Sequence, residues 1–402
     1  MTTTSSEISN LPTARPAKCP IDPPEEYRTL RRTEPTSKVR CPAGMDAWLV
    51  TRYDDVRALL SERTMSSRGA SSVHVNPNAD LTEEVLPGSI IQLDDQAHSR
   101  LRKMVIAEFT VRRMKTMRGY VQDLVDSHLE AMLAKPGTAD LVADFALPIP
   151  SLVICELLGV PYADRARFQQ QSSVLVSTDS TLEDGQAAMD ELSGFLATLF
   201  IEKRDNPQDD IFSRLIERGQ ATGDPLSMDE LVLLGLSLLV AGHETTANMI
   251  ALSTLVLFDH PEQRESLFAE PERAVEELLR YLSVVQFGVL RYATQDVRIG
   301  DRPVRAGDWL VAALNSANRD ESMYRSGDEL DLMRESPRSH LAFGFGPHQC
   351  IGQQLARVEL QEALTRLFRA APDLRLAVPR SSLRYKHNTL VYGVRELPVA
   401  WG

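Results

Sequence analysis

The sequence is short of cysteine, of net positive charge and of linkers, and each shortage excludes something. Four cysteines in 402 residues, Cys19, Cys41, Cys155 and Cys350, show neither paired metal-type spacing nor the density of a disulfide scaffold. A reducing compartment, the cytoplasm, is expected. Lys and Arg number 44 against 56 Asp and Glu, and the resulting net charge of −12 argues against a general nucleic-acid binder, which needs a basic surface or stripe. Residues 1–24 are rich in Thr, Ser and Pro and hold no apolar run long enough for a signal peptide or a membrane span, so they read as a flexible arm. No Ser- or Gly-rich linker and no solenoid-type repeat divides the remainder, which makes residues 25–402 a single domain, expected as a monomer. No Gly-x-Gly-x-x-Gly opens a helix, so the chain carries no recognisable dinucleotide domain of its own.

What is present is apolar and mostly helical. Hydrophobic residues make up 43% of the chain, enough for a large core. Helical periodicity is read over Asp54–Leu60, His98–Glu108, Val111–Met132, Ser151–Leu158, Asp184–Lys203, Met228–Leu257, Pro261–Phe268, Ala274–Leu282 and Gln353–Arg369. Extended character is confined to Trp48–Thr51, Thr389–Leu397 and a hairpin over Val297–Trp309 around Asp301 and Gly307. A mainly α fold with small β-sheets follows. Two long aperiodic stretches, Ser66–Gln92 and Arg319–Pro347, have the length of functional loops. The strongest helix starts at a capping box, Ser227 with Glu230, and runs roughly 45 Å at about 1.5 Å per residue. It is apolar on nearly every face from Leu231 to Ala241, yet His243 and Glu244 sit near its middle, where a membrane would penalise them. A buried central helix is the better reading.

Chemistry concentrates near the C-terminus, in His340-Leu-Ala-Phe343-Gly-Phe-Gly346-Pro-His348-Gln-Cys350-Ile-Gly352 followed by a helix from Gln353. Glycines around a cysteine describe a tight loop that presents a thiol at a helix N-terminus, where free N–H groups and the helix dipole favour thiolate. A lone cysteine is more often a small buried hydrophobe. The flanking residues decide between the two. Phe343, Gly346, Cys350 and Gly352 reproduce Phe-x-x-Gly-x-x-x-Cys-x-Gly, and the segment resembles the haem-binding signature of the cytochrome P450 superfamily, soluble actinobacterial type. In that family's order come Ala-Gly-His-Glu-Thr-Thr at Ala241 to Thr246, Glu-x-x-Arg at Glu277 to Arg280, and Ala-Asn-Arg-Asp at Ala317 to Asp320.

The resemblance implies haem b between the central helix and the cysteine loop, with Cys350 as axial ligand. It implies that Thr245 and Glu244 pass protons during dioxygen reduction, so that one oxygen leaves as water. From the residues themselves, Thr245 can return its hydroxyl to a carbonyl one turn earlier and open a kink, and Gly242 leaves room for a flat cofactor over Ala241. A kink with a buried, salt-bridged acid is the structural alternative. A zinc-protease reading of His243-Glu244 fails because Ala247 stands where His-Glu-x-x-His needs histidine. The resemblance makes His98, Arg102, Arg291 and His348 a clamp for the haem propionates; covalent attachment lacks its Cys-x-x-Cys-His. Glu277 and Arg280, three apart on one face, could be an ordinary exposed pair, whereas the resemblance implies a buried brace joined by Arg334.

Function then follows the family: one oxygen atom from O2 enters a C–H or C=C bond, with electrons from a separate ferredoxin and ferredoxin reductase. Arg112, Arg113, Lys115 and Arg118, with Arg100, Arg102 and Lys103, form a basic stretch suited to an acidic ferredoxin, or simply a solvated helix face. Loss of the acid-alcohol pair would have pointed to a peroxide-driven peroxygenase, and an added output domain to a haem sensor. The resemblance implies a pocket lined by Leu86, Ile91, Val240, Phe287, Val289, Leu390 and Val391; all are apolar, which favours a bulky hydrophobic macrolide, polyketide or steroid-like substrate.

Overall fold

The computed structural model describes residues 8–68, 74–78, 88–335 and 337–402. Helices dominate it. In chain order they are α1 (Glu26–Thr33), α2 (Tyr53–Ser61), α3 (Asp95–Ile106), α4 (Val111–Leu133), α5 (Pro148–Leu158), α6 (Arg165–Leu175), α7 (Leu182–Asp205), α8 (Ile211–Thr222), α9 (Met228–Asp259), α10 (Arg264–Ala269), α11 (Pro271–Leu282), α12 (Leu314–Ala317) and α13 (Gln353–Ala370). Strands are β1 (Ser9–Asn10), β2 (Thr36–Arg40), β3 (Asp46–Val50), β4 (Met65–Ser66), β5 (Thr138–Asp140), β6 (Val289–Ala293), β7 (Val297–Ile299), β8 (Arg302–Val304), β9 (Trp309–Ala312), β10 (Arg375–Leu376) and β11 (Pro398–Ala400). They form a six-stranded sheet ordered β1-β2-β3-β9-β6-β4, a three-stranded sheet β10-β11-β5 and the hairpin β7-β8.

The central helix α9 begins as its sequence dictates. Ser227 Oγ accepts from Glu230 N at 3.1 Å while Glu230 Oε2 accepts from Ser227 N at 2.9 Å, closing the capping box. Pro261 follows its end at His260, and α5, α7 and α13 pack around it. It is the one described helix long and apolar enough to cross a membrane, but 56% of its most apolar window is buried in protein. Here it is a core helix.

Several expectations need correction. The arm is docked over residues 8–24: β1 pairs in parallel with β2, Leu11 and Ile21 are 4% and 2% exposed, and Tyr27 Oη donates to Pro12 O at 3.3 Å. Two apolar side chains hidden in a Ser/Thr/Pro composition help to hold it, together with these backbone and side-chain bonds. The Val297–Trp309 hairpin is shorter than expected, since β8 ends at Val304 and Gly307, at φ +95°, redirects the chain so that Trp309 opens β9 in the large sheet. Thr389–Leu397 is no strand; it makes only isolated bridges, Ser177 with Thr389, Val285 with Val391 and Tyr385 with Val394. Helix α5 starts three residues earlier than read, because Pro148 and Pro150 occupy a first turn whose N–H groups need no partner. Helices α1, α6, α8 and α12 lie outside the stretches that helical periodicity marks.

Candidate active site around Cys350

The cysteine loop is built by close approach. Gly346 lies at φ +74°, and a Cβ there would stand 2.4 Å from Leu60 O at the end of α2, so only glycine lets the loop pass. Cys350 N donates to Phe343 O at 2.9 Å, which ties the loop's two ends together. Gly352 caps α13, and the N–H groups of Gly352 and Gln353 point at the Cys350 sulfur. Burial pushes the thiol up; those N–H groups and the Arg102 and Arg357 cations oppose it without fully offsetting it. Cys350 keeps accessible surface despite this dense surrounding. Cys41 and Cys155, by contrast, are packed into the core.

On α9, Ala241 is exposed and Thr245 half-exposed; Ser237, Leu238 and Val240 before them are part-buried, and the turn after them, from Thr246, is buried. Thr245 Oγ1 donates to Ala241 O at 2.8 Å, the expected backward bond, and α9 continues as helix through it. Gly242 serves a different purpose from the one read, since a Cβ there would meet Ile154 Cγ1 at 2.9 Å, so it lets α5 pack against α9. Glu244 is 8% exposed, and its Oε2 accepts from Lys386 Nζ at 3.1 Å and Asn248 Nδ2 at 2.9 Å. Burial would raise this acid, yet Lys386, His243 and the hydrogen bonds win and hold it below the ordinary carboxylate value. Thr245 and Glu244 therefore have separate partners, the salt-bridged arrangement that the sequence left open.

The clamp residues meet. His98 and His348 stack with ring centroids 4.0 Å apart, and His348 Nε2 lies 3.7 Å from Asp94 Oδ1. Burial, with neighbouring cations, pushes His98 down to about 4 and also lowers His348, so both are neutral donors at pH 7. Arg291 is 6% exposed and burial drives it down to about 10; Arg102 is lowered for the same reason. Their guanidinium groups bond only to backbone carbonyls, Leu290 O at 2.8 Å and Gln349 O at 2.6 Å, with no carboxylate partner among the described residues. A buried Arg291 and a half-buried Arg102, neither hydrogen-bonded to a carboxylate among the described residues, beside two neutral imidazoles and a thiol, fit a flat group with two carboxylates and a metal.

Behind the loop lies the brace. Glu277 takes Arg280 Nε and Nη2 at 2.7 Å each and Arg334 Nε at 3.1 Å, with Glu277 and Arg280 both wholly buried. The remaining guanidinium donors of Arg280 bind Asn318 O, Gly327 O and Glu329 O, and Asn318 Oδ1 in turn accepts from Leu341 N at 2.7 Å, reaching the cysteine loop. Sequence reading missed a second brace. Glu276 accepts from His340 Nε2 at 3.0 Å and Arg357 Nε at 2.5 Å, and Arg357 lies 4.6 Å over the Phe343 ring. His340 stood in the quoted motif without a role; Lys386 carried no sequence signal.

Among the pocket candidates, Leu86 lies outside the described residues. Ile91 is 47% exposed and is not packed in the core. Val240, Leu390 and Val391 are partly or wholly buried, but Phe287 and Val289 do not share a face. Gly288 between them, at φ +81°, breaks the alternation, sending Phe287 to the cluster of Leu49 and Leu290 and Val289 to that of Val50 and Leu310. The basic stretch is partly spent: Arg113 pairs with Glu108, Arg118 with Glu362, and Arg100 with Asp224 and Glu230. Arg112, Lys103 and Lys115 are exposed.

Comparison with known proteins agrees with this geometry. The family model described as Cytochrome P450 matches residues 165–371. Cytochrome P450-SU2 of Streptomyces griseolus is 45% identical over 99% of this chain and 98% of its own length. A vitamin D3 dihydroxylase from the same organism is 43% identical over 95% of each. Among solved structures, CYP105P1 in complex with filipin I aligns at a TM-score of 0.91 and 40% identity, covering 98% of this chain and 99% of that one.

Proposed function

The chain belongs to the cytochrome P450 family of haem-thiolate monooxygenases, and on that premise we propose that it oxidises a bulky, mostly hydrophobic molecule of macrolide, polyketide or steroid-like size, with electrons from a ferredoxin and its reductase. The observation that carries this reading is the group formed by the Cys350 thiol, the unpaired Arg102 and Arg291, and the neutral His98 and His348. Haem bound there supplies dioxygen activation at an iron whose thiolate ligand favours O–O cleavage. Cys350 would hold the iron, while Gly352 and Gln353 N–H groups keep the sulfur's charge in check. Arg102, Arg291, His98 and His348 would bind the propionates, and Asp94 fixes the His348 ring.

Thr245 would hold a proton at the exposed face of α9. Glu244, which faces Lys386 and Asn248 instead of that hydroxyl, would take up protons from solvent by way of Lys386, whose side chain is 19% exposed, and supply them to the site without touching Thr245. The apolar Val240, Leu390 and Val391 supply the wall for substrate, and a vitamin D3 dihydroxylase and a filipin I complex among the relatives are consistent with a large one. The test is turnover of a Soret-shifting ligand under isotopically labelled O2. One labelled oxygen per product supports the reading; product formed from peroxide alone, with none from O2 and electrons, supports the peroxygenase alternative.

A second expectation concerns electron delivery. Arg113 is tied to Glu108, so on α4 the exposed positive charges outside the ion pairs are Arg112 and Lys115, and Lys103 is exposed on α3. Arg112→Glu with Lys115→Glu should cut ferredoxin-driven turnover by about ten-fold at low salt, and rising salt should erase the difference. Peroxide-driven product should be unchanged. Equal loss by both routes would remove this face from docking.

A further inference from the structure

The segment carrying Leu390 and Val391 is held from a direction the proposed reaction does not explain. Gln286, 4% exposed, donates through Nε2 to His387 O at 3.1 Å and Thr389 O at 2.8 Å, while its N–H donates to Leu390 O at 3.0 Å. Its Oε1 accepts from Arg15 Nε at 3.3 Å. Arg15 belongs to the N-terminal arm, donates also to Ile21 O at 2.8 Å and Asp22 O at 3.2 Å, and lies 3.6 Å over the Tyr392 ring. Burial lowers this guanidinium to about 10, so its position is costly and is held by these contacts together.

The far edge of the same segment holds the connection between α6 and α7. Leu390 N donates to Val176 O at 2.8 Å, Thr178 N donates to Asn388 O at 2.9 Å, and Asn388 Nδ2 donates to Asp179. Segment 387–391 is thus a strip pinned on one side by Gln286 and Arg15, and on the other by residues 176–179. With no regular strand of its own, its register rests on isolated bridges and a few main-chain bonds, reinforced by the two amide bonds of Gln286.

We propose that Arg15 and Gln286 are specificity-determining positioning residues: from outside the pocket they set where Leu390 and Val391 stand and keep the 176–181 connection closed beside them. The inference rests on the monooxygenase reading for the identity of that pocket. It assigns the N-terminal arm a part in substrate selection.

Two azoles that coordinate haem iron separate the possibilities. Imidazole is too small to need the wall, whereas clotrimazole is bulky enough to fill a pocket. Arg15→Met and, separately, Gln286→Glu should leave imidazole affinity and the carbon-monoxide spectrum at parental values while weakening clotrimazole by about ten-fold, chiefly through faster dissociation. Gln286→Glu keeps the acceptor for Arg15 and loses both amide donors, so it reads the strip directly if Arg15→Met is poorly folded. Arg15→Lys, which keeps a donor, should recover part of the loss. Combining Arg15→Met with Gln286→Glu should cost no more than the worse single change, because both act through one chain of contacts. Parental clotrimazole affinity in both single variants, or fully additive losses, would overturn the inference. Failure of the parent protein to shift its Soret band with either azole would instead overturn the haem reading itself.

Discussion

Thr245→Ala should keep consuming reducing equivalents at close to the parental rate while product per electron pair falls by about ten-fold or more, the missing electrons appearing as hydrogen peroxide. The hydroxyl sits 2.8 Å from Ala241 O where α9 leaves Ala241 exposed and Thr245 half-exposed, so it can pass a proton received from water and be reset by the carbonyl. Without it, reduced oxygen is released before the O–O bond breaks. Haem content and ligand affinity should not change, and peroxide supplied directly should restore part of the product. Glu244→Gln should behave differently, because Glu244 lies against Lys386 and Asn248 rather than beside the hydroxyl. The whole cycle should slow, with a larger solvent isotope effect, and little peroxide should leak. Coupling retained in Thr245→Ala would leave that hydroxyl with a purely structural bond to its own helix.

Glu277→Gln should destabilise the protein by about 3 to 5 kcal/mol and lower the haem retained on purification. Removing the carboxylate charge leaves Arg280 wholly buried without a counter-ion and Arg334 nearly so. The damage should travel, because Arg280 holds Asn318 O and Asn318 holds Leu341 N at the start of the cysteine loop. An exposed ion pair of the same spacing contributes only about 0 to 1 kcal/mol. A loss in that lower range, measured by denaturant unfolding of the haem-loaded protein, would make Glu277 and Arg280 an ordinary pair despite their burial.

How far the sequence could be read follows from where the physics is local. The cysteine loop was legible because Gly346 is demanded by one backbone contact and Cys350 by one thiol, each a fixed identity at a fixed spacing. Helix α9 was legible through its capping box and its all-round apolar surface. Helix α6 was not, since it buries only Phe168 and Ser172 and shows almost no periodicity. Helix α8 carries a local signal of its own, Ile211, Phe212 and Leu215 after the Asp210 cap and before Gly223 in the left-handed region. Gly242 shows the limit of local argument: a glycine in mid-helix marks a close approach, but only the fold says that Ile154 is what approaches. Lys386 and Arg15 bond to residues 142 and 271 positions away, and no spacing rule reaches that far.

The central claim is that Cys350 is the thiolate ligand of a haem. Reduced protein under carbon monoxide should absorb at roughly 450 nm, as expected for a haem held by a thiolate, and Cys350→His should move that band to the position of an imidazole-ligated haem while Cys155→Ser leaves it in place. A band that stays put in Cys350→His would contradict the account.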